Sequence, residues 1–165
     1  DHGLSVGQHG LLGKQNMYEH SLRVPFMVVG PGVPANHRMA APIYLQDVMP
    51  TALALAGAHT PDHVFYNSLL PQITGHDGET NYPAVLGSYL DKQRAVIRDG
   101  WKLILYPEAQ AVRLYNVALD ELEEHDHAGY PGSLDRQRAL FADLLELQSE
   151  LGDALDLREV YPHLR

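Results

Sequence analysis

The first fourteen residues of the chain, DHGLSVGQHGLLGK, carry the side chains best suited to catalysis or metal binding. Asp1, His2 and His9 are of the types that ligate metal ions, and Lys14 offers a compact positive charge to an anionic oxygen. Glycines at positions 3, 7, 10 and 13 let the backbone turn tightly and approach a ligand closely. A loop that holds a cation beside an anion-binding lysine has the chemistry needed to handle a sulfate or phosphate ester.

The composition narrows the class of protein. A hydrophobic content of 45% over 165 residues predicts a folded core. The net charge of −9 argues against a broad nucleic-acid-binding surface, although a local cationic pocket for one anion is compatible with it. No apolar run approaches the roughly 20 residues of a membrane span. The chain has no cysteine, which excludes disulfides, thiolate metal sites and a cysteine nucleophile on it.

The segment after the N-terminal loop predicts a strand followed by a helix. Residues 24–29, VPFMVV, form a short apolar run bounded by turn residues, which favours a buried strand in a parallel sheet. Residues 43–57 predict a helix, with Asp47 as candidate N-cap, Pro50 in the first turn and Gly57 at the C-terminal end. Its alanines and leucines favour burial against that sheet.

The second half of the chain predicts an antiparallel meander and a helix. The predicted strands cover 84–89, 94–98, 101–106 and 112–117, with Asp99-Gly100 as a hairpin turn. Ser133 is expected to cap a helix that runs to about Leu151. Its apolar stripe, which should pack on the meander, consists of Leu134, Phe141, Leu144, Leu145 and Leu151.

The same residues carry a resemblance to a known family. Residues 1–32 resemble the late active-site segment of the sulfatase family, within the alkaline phosphatase superfamily. YLQDVMPTALALAG is similar to that family's Asp-x-x-Pro-Thr helix, and RDGWKLILY with LYNVALDELEEHD resembles its C-terminal strand pair. The resemblance implies an α/β fold: the C-terminal part of an alkaline-phosphatase-like sulfatase fold, with a strand–helix unit of the large sheet plus a small antiparallel sheet and a packed C-terminal helix. Residues 1–75 would end the catalytic α/β domain, and residues 76–165 would form the small C-terminal subdomain.

The resemblance also implies a site. Asp1 and His2 match two ligands of a divalent cation, usually calcium; because calcium prefers oxygen ligands, manganese, magnesium and zinc stay open. Lys14 matches the lysine that binds the sulfate and stabilises charge. His9 matches a common family residue, for which we favour a structural role over contact with the leaving group.

The nucleophile of the family is a formylglycine made from a C/S-x-P-x-R motif, and this chain contains no such motif. We therefore expect the C-terminal portion of a longer enzyme, whose remaining N-terminal part supplies the nucleophile, and we expect the isolated chain to be inactive. The implied function is a sulfuric ester hydrolase acting on a sulfated small molecule or glycan. Two alternatives are a phosphatase or phosphonate monoester hydrolase of the same superfamily, and a non-catalytic partial chain that acts as a folded module.

Several other polar residues have two interpretations. Arg23 could clamp an anionic group or pair with Glu19. His125 and His127, within the acidic segment 120–127, could form a weak metal site, but an acidic solvated turn is favoured. The remaining histidines considered, which are expected to be solvated loop residues, are His20, His37, His59, His63 and His76.

Overall fold

A computed structural model describes residues 2–75 and 81–165, which divide into two compact units. One unit combines residues 1–25 with Leu86–Arg165, and the other is Phe26–Val85. The N-terminal loop therefore clusters with the C-terminal residues of this chain. The predicted domain boundary between residues 75 and 76 concerns the catalytic domain of a longer protein and stays a prediction. Asp1 and His76, for which a metal-binding and a solvated role were predicted, lie outside the described residues.

The N-terminal loop is a short β-hairpin. Strands β1 (Ser5–Val6) and β2 (Leu12–Gly13) pair antiparallel, with Ser5 opposite Gly13 and Val6 opposite Leu12. A single-turn helix, α1 (Glu19–Leu22), follows the hairpin. The glycines supply the backbone angles that this hairpin needs: Gly7 has φ 123° and Gly13 has φ 116°, which side-chain-bearing residues rarely adopt.

The Phe26–Val85 unit contains two short helices, α2 (Val48–Leu55) and α3 (Leu70–Ile73). The predicted helix over 43–57 is present but shorter, and a 3₁₀ turn precedes it. Asp47, the predicted N-cap, is fully buried. Its carboxylate accepts the backbone N–H groups of Tyr44 at 2.9 Å and Asn67 at 3.2 Å and the hydroxyl of Tyr82, so it organises this unit beyond the helix end.

Two predictions of burial in this region are wrong for the described residues. Residues 24–29 form no strand, and Met27 and Val29 are 87% and 98% exposed. Helix α2 leaves Val48, Met49 and Leu55 exposed instead of packing them on a sheet. The physical reason is that a parallel strand needs paired strands and a cover on each face, and no described residue pairs with 24–29.

The second half forms a four-stranded sheet in the order β3 (Val85–Tyr89), β4 (Gln93–Arg98), β5 (Trp101–Tyr106) and β6 (Ala111–Asn116). Antiparallel pairing joins β4 to β5 and β5 to β6. Asp99 and Gly100, with φ 50° and 74°, make the two-residue turn that matches the twist of the paired strands. The predicted meander is therefore confirmed.

The predicted C-terminal helix is confirmed as α4 (Leu134–Leu151), which ends at Gly152 in the left-handed conformation. It packs against β4 and β5. The buried stripe differs from the predicted one, because Leu134 in the first turn is exposed while Leu145 and Leu151 are only half-buried. The side chains of α4 that are buried are Gln137, Leu140, Phe141, Leu144, Leu147 and Gln148.

Both faces of the four-stranded sheet are covered. Arg94 and Arg98 of β4 reach Asp153 and Asp143, so their face of the sheet is turned towards α4. The alternate side chains point to the opposite face. There Ala95, Ile104 and Tyr115 form a buried cluster with two residues of the N-terminal segment, Met17 and Tyr18. The sheet is thus the middle layer, and the segment that follows Lys14 covers one side of it.

A helix that crosses a bilayer must be long and almost wholly apolar. None of the helices within 2–75 and 81–165 combines the necessary length with the necessary apolar composition.

Candidate active site

The hairpin that carries the candidate residues is held by its own side chains. Ser5 is buried, and its hydroxyl lies 3.0 Å from the Gln8 carbonyl and 2.9 Å from the Leu11 carbonyl. The Gln8 side chain accepts the N–H of Val6 at 2.7 Å. These contacts close the turn between β1 and β2. His9 consequently lies at the tip of the hairpin, while the residues before β1 and after β2 meet at its open end.

Lys14 and His2 meet at that open end. Nζ of Lys14 lies 2.5 Å from Nε2 of His2, and Nδ1 of His2 lies 2.8 Å from the Gly3 carbonyl oxygen. A carbonyl only accepts and an ammonium only donates, so these contacts assign the proton to Nδ1 and leave the lone pair on Nε2. Both side chains are exposed. The structure therefore brings together two of the predicted site residues, whereas Asp1 lies outside the described residues.

Gly3 fixes how this open end meets α1. Its N–H donates to the Ser21 carbonyl at 3.3 Å. A Cβ at this position would lie 1.7 Å from the carbonyl oxygen of His20, which no side-chain-bearing residue could accept without a shift. The glycine after His2 is thus required by close packing of the hairpin on α1.

His9 is engaged in a ring contact. Its imidazole stacks on Tyr18 with ring centroids 3.9 Å apart and planes 6° apart, and His20 lies 5.8 Å from His9. Tyr18 is buried in the cluster on the sheet. The contact supports the structural interpretation of His9, in which the hairpin tip is held on a fixed aromatic ring.

His20 differs from its prediction as a solvated loop residue. It belongs to α1, is half-buried, and its Nε2 is buried without a hydrogen-bond partner among the described residues. Burial lowers the pKa of His20, and the neighbouring His9 and Lys102 lower it further. The surroundings of His20 therefore disfavour its charged imidazolium form. The predictions for His37, His59 and His63 are confirmed, since all three are exposed.

A buried ion network lies beneath the same segment, and sequence reasoning missed it. Lys102 of β5 is fully buried, and Nζ contacts a carboxylate oxygen of Glu19 at 2.5 Å and one of Glu123 at 2.8 Å. Its third partner is the Met17 carbonyl at 3.1 Å. Burial raises the pKa of Glu123 in spite of the adjacent ammonium. One signal was visible, a single lysine inside the apolar run WKLILY, but the run does not reveal its partners.

Arg23 does not pair with Glu19, and the other role considered from the sequence, the binding of an anionic group of the substrate, stays a prediction. Its guanidinium lies 3.3 Å from a carboxylate oxygen of Glu121, and both side chains are well exposed. Glu19 is bound to Lys102 instead. Arg23 also lines a cavity of about 710 Å³ together with His9, His20 and Glu124. An open space of this size beside the hairpin is large enough for a small organic group.

The acidic segment contains a group that has metal-ligand geometry. Ligand atoms of Asp120, Glu124 and His125 lie within 4.8 Å of one another. Burial would raise the pKa of Asp120, but hydrogen bonds from the backbone N–H groups of His125 and Glu124 lower it. Those bonds already occupy the carboxylate as the cap of a turn. His127 lies edge-on against Trp101 and Tyr130 and outside this group, so the two histidines do not come together as the less favoured metal-site interpretation of the segment required.

Comparison with known proteins decides the family. Residues 7–150 match the model of the family described as N-sulphoglucosamine sulphohydrolase, C-terminal. The chain belongs to this sulfatase family. Its resemblance to sulfatases, inferred from the hairpin and the strand pair, is thereby confirmed.

Relatives and structural neighbours agree with the family. The chain is 31% identical over 133 residues to arylsulfatase K of Danio rerio, a match that covers 74% of this chain and 25% of that protein. The chain thus spans about a quarter of the length of this relative. It also resembles the structure of BT4656 in complex with its substrate D-glucosamine-2-N,6-O-disulfate, at TM-score 0.83 and 25% identity over 93% of this chain and 33% of that one.

A phosphonate monoester hydrolase from Silicibacter pomeroyi shares the fold. Its TM-score is 0.77 at 20% identity, covering 90% of this chain and 33% of that chain. This likeness extends to the fold alone. The predicted fold class, a sulfatase-type α/β fold with an antiparallel sheet and a C-terminal helix, is confirmed by these neighbours.

Proposed function

We propose that the chain is the C-terminal part of a sulfuric ester hydrolase. The observation that carries the proposal is the contact of Lys14 with His2 at the open end of the hairpin, in a chain of a sulfatase family. Hydrolysis consumes one water, breaks the S–O bond to the organic group, and releases an alcohol and hydrogen sulfate. Lys14 binds the sulfate oxygens. Its fixed positive charge offsets the negative charge that develops on them and on the leaving oxygen.

His2 and Asp1 are the proposed ligands of a divalent metal ion. Family membership supports the presence of such an ion, and the donor chemistry fits when the Lys14 ammonium moves from Nε2 of His2 to the sulfate, because Nε2 then offers its lone pair to the ion while Nδ1 stays bound to the Gly3 carbonyl. A bound ion would polarise the sulfate and hold it in place. Calcium is the ion that the family resemblance favours, and manganese, magnesium and zinc are the alternatives.

The substrate proposed is a sulfated small molecule or glycan. The neighbour BT4656 is described with a sulfated glucosamine as its substrate, which supports a sugar sulfate here. The cavity beside His9, His20 and Arg23 is where we place the organic part of the substrate. In this proposal His9 positions the hairpin tip at the edge of that cavity through its stacking on Tyr18.

The nucleophile is proposed to come from outside this chain. The sequence has no cysteine and no C/S-x-P-x-R motif, so the formylglycine of the family would be supplied by the N-terminal part of the sulfatase domain. We propose that residues 1–75 complete that catalytic domain and that 76–165 form the small C-terminal subdomain. This division assigns the exposed apolar residues Met27 and Val29 to the catalytic domain.

The experiment that tests the function uses the full-length protein. We would measure the hydrolysis of three esters of the same phenol, its sulfate, phosphate and methylphosphonate monoesters, under the same conditions. Sulfate release from 6-O-sulfated glucosamine is then measured. The proposal predicts the highest kcat/KM for the sulfate ester. A preference for the phosphonate or phosphate ester would favour the second hydrolase class, and turnover of none of them by the folded, metal-loaded protein would favour the non-catalytic module.

A further inference from the structure

Lys102 is the centre of a complete set of buried contacts. The side chain is fully buried near the start of β5, where an uncompensated ammonium would be strongly unfavourable. Three acceptors surround Nζ: a carboxylate oxygen of Glu19, one of Glu123, and the Met17 carbonyl. An ammonium has three N–H donors, so each donor has one partner. The network specifies one arrangement of the groups that it joins.

The partners of Lys102 hold one short stretch of chain from several sides. Glu123 binds Lys102 through one oxygen and accepts the backbone N–H of Glu19 through the other, at 2.7 Å. The network therefore binds the carbonyl of residue 17 and both the backbone N–H and the carboxylate of residue 19. Between them, the side chain of Tyr18 is buried on the sheet with Met17. The stretch 17–19 is thus fixed to β5 in position and in orientation.

This fixed stretch is directly connected to the candidate catalytic residues. Lys14 precedes it by three residues, and the turn between them is closed by the Asn16 N–H on the Lys14 carbonyl at 2.9 Å and by the Tyr18 N–H on the Asn16 side chain at 3.1 Å. The imidazole of His9 stacks on the ring of Tyr18. The helix that begins at Glu19 accepts the N–H of Gly3, the residue next to His2.

We propose that Lys102, acting with Glu123 and Glu19, is a positioning residue for sulfate ester hydrolysis: it fixes the hairpin so that Lys14 is held at the sulfate. The proposal rests on the catalytic role proposed for Lys14. It gives the C-terminal sheet a part in turnover through β5, although β5 contributes no side chain to the reaction itself. A small displacement of a charge-stabilising group is enough to reduce turnover on the order of 100-fold.

The test is a double-mutant cycle in the full-length protein. Lys14→Ala, Lys102→Met and the combination are purified, their folding is checked by circular dichroism and thermal unfolding, and kcat and KM are measured for a sulfate ester. A matched control is Lys92→Met, which removes an exposed lysine that lies in the turn between β3 and β4 and pairs with Glu108. A positioning residue acts through Lys14. Lys102→Met should therefore lower kcat strongly when Lys14 is present and only slightly when Lys14 has been replaced by Ala.

The expected result is a fall in kcat of tenfold or more for Lys102→Met, a much smaller further loss in the Lys14→Ala background, and wild-type values for Lys92→Met. If Lys102→Met does not fold, Glu19→Gln takes the place of Lys102→Met in the same cycle. This substitution keeps the shape of the side chain at position 19 and keeps the Lys102–Glu123 pair. Unchanged kcat in a folded variant, or equal losses with and without Lys14, would overturn the proposal. Full turnover by Lys14→Ala would instead overturn the catalytic role of Lys14, which separates the two failures.

Discussion

Nζ of Lys14 lies 2.5 Å from Nε2 of His2, although the two residues are twelve positions apart in the chain. The pairing of Ser5 with Gly13 brings them together, because it closes the hairpin whose two ends they extend. An anion bound by the ammonium of Lys14 would therefore also lie beside the imidazole of His2. This relationship links the local fold of residues 2–14 to the chemistry proposed for the loop.

Gly3→Ala should destabilise the protein. The added Cβ would lie 1.7 Å from the backbone carbonyl oxygen of His20, so either the hairpin or α1 must move. We expect a loss of about 1–3 kcal/mol in the free energy of unfolding, measured by chemical denaturation. Gly129→Ala is the matched control, since a Cβ there meets no atom within 4 Å. Equal stability of the two variants would contradict the packing described for Gly3.

Gly100→Ala should weaken the turn between β4 and β5. Residue 100 has φ 74°, and a Cβ there would lie 2.7 Å from the Cβ of Ala118. Backbone strain and the contact together should cost about 1–3 kcal/mol of unfolding free energy. Gly30→Ala, where the nearest atom is 3.9 Å away and the conformation is ordinary, should cost less. The order of the two midpoints in a urea titration checks the prediction, and the reverse order would refute it.

Asp153 should make stability depend on acid pH. Arg94 binds both of its carboxylate oxygens, at 2.6 and 2.8 Å, and this pairing lowers the pKa of Asp153 to about 2. Because the pKa is lower in the folded state than the ordinary 3.8, the stabilisation is present above the unfolded pKa and is lost as the pH falls through about 2. The expected contribution is about 2 kcal/mol.

The measurement is the free energy of unfolding of wild type and Asp153→Asn from neutral pH down to the acid limit of folding. Asp153→Asn should be less stable at neutral pH and should show a shallower fall in acid than wild type. Asp91→Asn, on the exposed turn before β4, is the control and should follow wild type. A pH profile of Asp153→Asn that runs parallel to that of wild type would contradict the assignment.

Removal of His2, a proposed metal ligand, should reduce ion binding as well as turnover. Full-length His2→Ala should retain less divalent metal after dialysis than wild type, and added calcium should raise its thermal midpoint less, because a ligand that binds more weakly stabilises the folded state less at the same concentration. His63→Ala, a substitution of an exposed histidine, is the control. Metal content equal to that of wild type would remove His2 from the proposed ligand set.

Much of the fold could be predicted because its signals are local. The Asp99-Gly100 turn and the alternating strands around it determine the meander, and the periodic leucines before Gly152 determine α4. Residues 24–29 show the limit of such signals. The run VPFMVV has the composition of a buried strand, but composition does not say which strands pair with it, and no described residue does.

The candidate site was predictable in part for the same reason. His2, His9 and Lys14 lie within one hairpin, so a short motif contained them. The network of Lys102, Glu19 and Glu123 was not predictable, because its members are separated by up to 104 residues and meet only through the tertiary fold. The sequence shows a lysine within an apolar strand and an acidic turn, and neither indicates that the two are in contact.

Turnover of a sulfate ester by full-length Lys14→Ala is the sharpest test of the role proposed for Lys14. Wild type, Lys14→Ala and the exposed-lysine control Lys92→Ala are compared for sulfate release, with thermal unfolding as the check on folding. We expect Lys14→Ala to keep the wild-type midpoint and to lose turnover on the order of 100- to 1,000-fold, because one charge-stabilising group has been removed. Sulfate release by Lys14→Ala equal to that of Lys92→Ala would contradict the central claim.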